Sequence, residues 1–326
     1  MASKKINNVY IADSFTIAGP FEKEGSVKDF DMTLEDFYFK AHTFEQSEIK
    51  MQKVAIDNLL AKNHLLTKDI SLLVSGDLSN QIGTSSYAAS FYDFPYLGVY
   101  SACASFIESL FTAATFIEGK TKANALCVTS SHNLAAEKQF RYPIEYGAPR
   151  PKTSTFTATG SVAVLLTKNK TPIKLESYTV GTVVDMGQKD ANNMGAIMAP
   201  AAAKVLADHL KEMKRSIDYY DLILTGDLGC VGSKILQEYL KRVYGLKMPK
   251  HFDAGCELYL KSQEQTASGA SGPVALPLYL FGKILKSHKY HHILLIGTGS
   301  LHNPFLVNQK ISIPAIAHAV SLEVSE

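Results

Sequence analysis

The stretch SACASF, residues 101–106, sets a cysteine among small residues directly ahead of an apolar run that continues to Gly119. A cysteine at a strand-to-helix turn meets the first-turn amides and the positive end of the helix dipole, which stabilise a thiolate or a bound anion. Cys103 and Ala104 are therefore candidates for a nucleophile or an anion site. Other polar groups fall at the ends of apolar runs: His132 and Asn133 after ALCVTSS, and Asp77 and Asp227 in SGDL and TGDL. An aspartate in such a turn also has a purely structural use, because it bonds backbone amides and caps the next helix. Thr266, Ser268 and Ser271 offer hydroxyls to a carboxylate, and Arg141, Arg150 and Lys152 offer cations. A guanidinium fork matches a carboxylate bidentately.

The elements that must carry these residues are legible as alternating periods. Short continuous apolar runs at 70–78, 125–133, 160–168 and 291–303 fit strands buried by helices, and 8–17 reads as a first strand. Helical spacing recurs over 33–60, with Thr33 as N-cap and Asp36 three residues on, and over 101–119, where Glu108 is the only charge before Ile117. Pro200 opens a third helix over 201–215, since proline is accepted at the first helical position. The segment 134–152 reads as a long polar and aromatic insert with Glu137, Tyr142 and Tyr146, and 311–322 as an edge strand.

A length of 326 residues, 46% hydrophobic and 20% charged, is ordinary for a globular chain with room for two cores. A net charge of +2 with scattered lysines makes nucleic acid a poor candidate partner. The four cysteines show no CxxC spacing, which points to reduced thiols, a reducing cytoplasm, and no zinc or other cofactor. Asp13 interrupts the first apolar run, so no signal peptide is expected, and no run approaches the roughly 18 apolar residues of a membrane span.

The chain repeats itself. LVSGDL (73–78) matches ILTGDL (223–228), SACAS (101–105) matches ASGAS (267–271), and Ser131-His132-Asn133 matches Leu301-His302-Asn303. Three matches in the same order indicate a duplication, with halves at 1–168 and 169–326. Alternating strands and helices in both halves give an α/β class with mostly parallel mixed sheets. Two facing halves would bring the elbows at Cys103 and Gly269 to one centre, at strand carboxyl ends where open α/β sheets place ligands.

In that frame SACASF, QTASGASGP and LLIGTGSLHN resemble the thiolase and ketoacyl synthase superfamily, and within it a family of stage V sporulation proteins of endospore-forming bacteria. The resemblance implies a duplicated, five-layer α-β-α-β-α fold and a homodimer. For the superfamily it implies condensation or cleavage of acyl thioesters. For the sporulation family it implies binding of dipicolinic acid, free or as its calcium chelate, and its uptake into the spore. Membrane-embedded proteins of the same system would be the partners, at the cytoplasmic side of the forespore or spore inner membrane.

Position by position, the superfamily's second-half histidine or asparagine falls on Thr266, its other catalytic histidine on or near Asp227, and its acid cysteine on Leu295. Losing one oxyanion donor costs about a hundred- to a thousand-fold in rate. The expectation is therefore a non-catalytic ligand-binding protein whose pocket draws on Cys103, Ala104, His132, Asn133, Asp227, Thr266, Gly269, Ser271, Arg141 and Arg150. The alternative is a condensing or transfer enzyme that uses Cys103 with His132 or Asp227 handling the proton.

Overall fold

Ten strands fall into two sets that repeat one another. The first holds β1 (Tyr10–Ala18), β2 (Leu72–Gly76), β3 (Tyr96–Gly98), β4 (Asn124–Ser131) and β5 (Gly160–Thr167). The second holds β6 (Ile173–Thr179), β7 (Leu222–Thr225), β8 (His251–Asp253), β9 (His292–Ser300) and β10 (Ala315–Val324). The first set is ordered β1-β5-β4-β2-β3 and the second β6-β10-β9-β7-β8. In each, one strand runs against its neighbours (β5, β10) and the other four share a direction. Even the registers recur: Leu72 pairs with Ala125 as Leu222 pairs with Ile293, and Leu73 with Tyr96 as Ile223 with His251. A narrow seam, Tyr10 with Lys174 and Ile11 with Ile173, joins both sets into one twelve-stranded sheet. This computed structural model describes residues 2–121, 123–141 and 147–325, so Tyr142 and Tyr146 lie outside the described residues.

The helices α1 (Phe44–Lys62), α2 (Gly83–Ala89), α3 (Ser105–Glu118) and α4 (Asn133–Phe140) recur as α5 (Met194–Met213), α6 (Gly229–Tyr239), α7 (Ala275–Tyr279) and α8 (Pro304–Asn308). Strand side chains alternate between faces, and this sorts the core into three clusters. Leu126, Val128, Ala163 and Leu165 pack on Met51, Ile56 and Leu59 of α1. Ala125, Cys127, Val162 and Val164 face inward on α3, and so do Leu222, Leu224, Ile293 and Leu295 from the other half. Leu294, Ile296, Ala317 and Ala319 pack on α5. The result is five layers, α-β-α-β-α, with α3 and α7 in the middle. The α3 helix is buried or half-buried nearly all round, as its charge-poor sequence predicts, and exposed only at Thr115 and Phe116.

Five expectations are corrected. Helix α1 begins at Phe44, not at residue 33: Thr43 caps it by accepting the Gln46 N–H at 3.2 Å. Asp36 instead accepts the N–H groups of Tyr38 and Phe39 in a turn, and Phe39 and Lys40 are left-handed, so no helix can run through them. Helix α5 begins at Met194, with Pro200 in its interior. The proline forfeits one backbone donor, and the buried Ile197, Met198, Ala201, Ala202 and Val205 around it hold the helix by packing. The insert after β4 opens as helix α4. The segment at 311–322 becomes β10, flanked by β9 and β6 rather than lying at an edge. Finally, Cys230 and Cys256 form a disulfide, and only Cys103 and Cys127 are free.

Ile107 touches the second half directly: a Cβ built on Gly297 of β9 would lie 2.7 Å from its Cγ1. Ile107→Ala should therefore cost about 2–5 kcal/mol in urea unfolding. A loss below about 1 kcal/mol would mean that α3 is not the shared core.

Candidate functional site

The elbow that presents Cys103 is built by short local bonds. Ala102 is left-handed, at φ +50°. Ser105 Oγ accepts the Ser101 N–H at 3.0 Å and donates to the Ala102 carbonyl at 2.7 Å, pinning the turn closed. Behind it, His318 Nδ1 accepts the Gly181 N–H, which leaves Nε2–H to donate to Ser101 Oγ at 3.2 Å. Helix α3 then starts two residues after Cys103.

Across from this elbow stands Gly272, and here the expectation of Gly269 is corrected. Gly269 is spent on packing: a Cβ there would meet the Gly255 carbonyl at 2.2 Å. Gly272 (φ +103°) aims its N–H toward both Cys103 and the Asp227 carboxyl, easing the charge on each. That contact falls short of hydrogen-bonding geometry, and neither Asp227 oxygen has a partner among the described residues. Asp227 is fully buried and left-handed, at φ +76°. Burial first, and the nearby Asp253 second, hold its acid well above the usual carboxylate range. Burial, and then Asp227, push the Cys103 thiol well above its ordinary value. Both groups at the centre are thus pushed toward their protonated forms, the opposite of a thiolate poised by a base.

The other residues singled out in the sequence bond or pack away from this elbow. Thr266 Oγ donates to the Gln263 carbonyl at 2.7 Å, Ser268 Oγ accepts the Val231 N–H at 3.1 Å, and Leu295 lies in the inner core. His132 caps α4, with Nδ1 3.5 Å from the Ala135 N–H and Nε2 2.8 Å from the Phe37 carbonyl, and it stacks on Phe44. Asn133 Nδ2 donates to the Thr157 carbonyl at 3.1 Å. Ala104 is buried against β9. Lys152 and Asn133 border an outer groove with Phe21 and Phe37.

The structure instead gathers Arg141, Arg150 and Ser271 in a cavity of about 370 Å³, which opens beyond the carboxyl ends of β4 and β9. Glu137, Phe140, Ser154, Asn192 and His302 complete its polar and aromatic wall. Arg150 Nη2 pairs with Glu137 at 2.8 Å, and its guanidinium lies 4.9 Å over the Phe156 ring. Its Nη1 has no partner among the described residues, nor have Ser154 Oγ and His302 Nδ1. Burial lowers the His302 pKa, so its imidazole is neutral near pH 7. Ser154 and Asn192 carry no local sequence signal; they arrive from the loops before β5 and α5, tied together by Thr153 Oγ donating to the Asn192 carbonyl at 3.0 Å.

Solved structures share this architecture. A single-site variant of Xanthomonas campestris OleA superposes with a TM-score of 0.62 at 16% identity, covering 98% of this chain and 99% of that one. The 3-oxoacyl-[acyl-carrier-protein] synthase III of Aquifex aeolicus does so at 0.55 and 13%, covering 98% and 99%. AbyA1, a tetronic acid condensing enzyme, does so at 0.57 and 15%, covering 86% and 87%. The chain therefore has the thiolase and ketoacyl synthase fold. It belongs to the stage V sporulation protein AD family, whose pattern matches residues 2–323, and it shares that family's role in sporulation. The stage V sporulation protein AD of Bacillus subtilis (strain 168) is 39% identical over 97% of this chain and 94% of its own length.

A carboxyl whose pKa is raised by folding binds more protons folded than unfolded, so stability falls as pH rises from the ordinary carboxylate range through the folded value. Asp227 contributes with that sign, as do Glu22 and Asp253, each pushed to about 7, and Glu48, pushed to about 8, all chiefly by burial. Asp227→Asn should cost little at about pH 5 and flatten the decline of urea stability toward about pH 9. An unchanged slope would contradict a neutral Asp227.

Proposed function

We propose that the chain binds dipicolinate, free or as its calcium chelate, without chemical turnover, and serves its uptake into the developing spore. One observation carries this reading: Arg150, Ser154 and His302 line one small cavity, and each has a buried polar atom (Arg150 Nη1, Ser154 Oγ, His302 Nδ1) without a partner among the described residues. A polar group left unpaired costs about 1–3 kcal/mol, so each favours a ligand that completes it. The volume lies at the small end of the about 300–1,000 Å³ that ligand pockets occupy, suited to one flat ring. Arg141 and Arg150 against Glu137 leave one positive charge in the wall. One carboxylate would take the free arm of Arg150, and the hydroxyls of Ser154 and Ser271 would meet the second.

The acyl-transfer alternative is disfavoured by the same geometry. Cys103 is buried beside an acid and lacks a base, Thr266 has spent its hydroxyl, and the cationic cavity does not include the thiol. The reading extends to a homodimer, supported by the exposed Tyr87, Phe91, Tyr96 and Leu97 along the edge strand β3 and the adjoining α2. It also extends to membrane-embedded partners; no helix of the described residues is itself long and apolar enough to cross a membrane.

Calorimetric titration with dipicolinate, with and without calcium, tests it. Arg150→Ala should weaken binding about 10- to 100-fold, the worth of a charge-assisted hydrogen bond. Cys103→Ala should leave binding within about threefold. No heat from the unaltered protein at about 1 mM ligand would overturn the reading, since that corresponds to about −4 kcal/mol.

A further inference from the structure

A second cavity, of about 540 Å³, lies on the far side of Phe140 and His302, which line both. Its character differs from that of the first. Tyr100, Ile82, Pro304 and Phe305 give it apolar and aromatic walls, and among the described residues no lysine or arginine lines it. Its polar groups are largely used: Gln139 Oε1 accepts the Asn80 N–H, Gln139 Nε2 donates to the Leu78 carbonyl, and Asn303 Oδ1 accepts the Leu306 N–H. Among the buried polar side-chain atoms of the described residues that line it, His302 Nδ1 has no partner, the residue being 8% exposed.

Two further observations mark this chamber. Gln81 and Ile82 on its wall are consecutive left-handed residues, at φ +59° and +48°. That conformation is a true outlier for a β-branched side chain, and such strain concentrates at ligand clamps and switch regions. Phe305, on the same wall, is 77% exposed. Between the chambers, the Phe140 and His302 rings sit 5.2 Å apart, tilted by 37°. Phe140 also packs on the small cluster of Leu78, Ala102 and Cys103, so the one side chain lines both chambers and adjoins the cluster that holds the thiol.

We propose that the outer chamber is an antechamber subsite for a planar aromatic acid, and that Phe140, against His302, is the partition such a ring passes to reach Arg150. This rests on the dipicolinate reading for the identity of the ligand but not for the existence of the partition. The charge gradient gives the direction. An aromatic acid finds ring surface and one imidazole in the uncharged outer chamber, and the guanidinium groups in the inner one. Phe140 lies at the last residue of α4, where helix ends fray, so its ring can move without breaking the core.

Two readouts on Phe140→Ala test this, with a thermal melt to confirm folding and Phe140→Leu as the milder change. The first is the alkylation rate of Cys103 by iodoacetamide, mapped by peptide mass, with the core thiol Cys127 as internal reference. Removing the ring should speed Cys103 alkylation about tenfold or more by exposing the thiol, with Phe140→Leu intermediate and Cys127 unchanged. The second is stopped-flow binding of dipicolinate. A partition on the path predicts that association rises about tenfold, and that dissociation rises by at least as much because Phe140 also lines the inner cavity. Unchanged Cys103 alkylation in either folded variant would overturn the partition. Faster dissociation alone would make Phe140 a wall of the inner site and overturn the passage. If the unaltered protein gives no dipicolinate signal, the ligand reading and the passage both fall, and alkylation still decides whether Phe140 covers the thiol.

Discussion

The desolvation of one helix governs this molecule. Helix α3 lies between the two half-sheets, with Phe106, Ile107, Leu110 and Ile117 at most 1% exposed. Each such side chain contributes about 1.5–3 kcal/mol when fully buried. The helix can be covered from both sides only if both halves close on it, and closing them brings the strand carboxyl ends together. The same burial sets the chemistry at its N-terminus. The dipole and amides there would favour a thiolate in water, but without water, and beside Asp227, the balance reverses and the Cys103 thiol keeps its proton. What is an activating position in a solvated elbow becomes an inert one in this dry elbow.

Five of the unsatisfied buried polar atoms among the described residues fall into two sets with different meanings. The Asp227 oxygens lie in the closed centre, where a neutral acid tolerates the loss at the expense of a pH-dependent stability. Arg150 Nη1, Ser154 Oγ and His302 Nδ1 belong to residues that line the cavity, and a guanidinium cannot shed its charge. Glu137 holds one arm of Arg150 and leaves the other for an anion.

The duplication and the layered α/β fold were legible because each half repeats short apolar runs that end in the same turn, and because charge is nearly absent from α3. Boundaries failed where tertiary forces overrode local signals. Pro200 sits inside a helix because the apolar residues around it are buried, and the left-handed Phe39 and Lys40 break a period that looked continuous from residue 33. At the site, Arg141, Arg150 and Ser271 were readable from their chemistry, and the structure brings them together. His132 and Thr266 looked equally suitable, yet their hydrogen bonds go to Phe37 and Gln263, which no spacing in the sequence discloses. Ser154, Asn192 and Phe140 come from three separate segments, and the Cys230–Cys256 bond spans 26 residues across a fold contact. Sites assembled from loops of both halves leave no periodic trace.

The central claim is that the cationic cavity, and not the cysteine elbow, holds the ligand. A crystal structure of the protein soaked in dipicolinate tests it most directly. The account predicts a flat ring in the cavity beside Phe140 and His302, with one carboxylate within hydrogen-bonding distance of Arg150 Nη1 and Cys103 unmodified. Density for the ligand away from Arg150, or an adduct on Cys103, would contradict it.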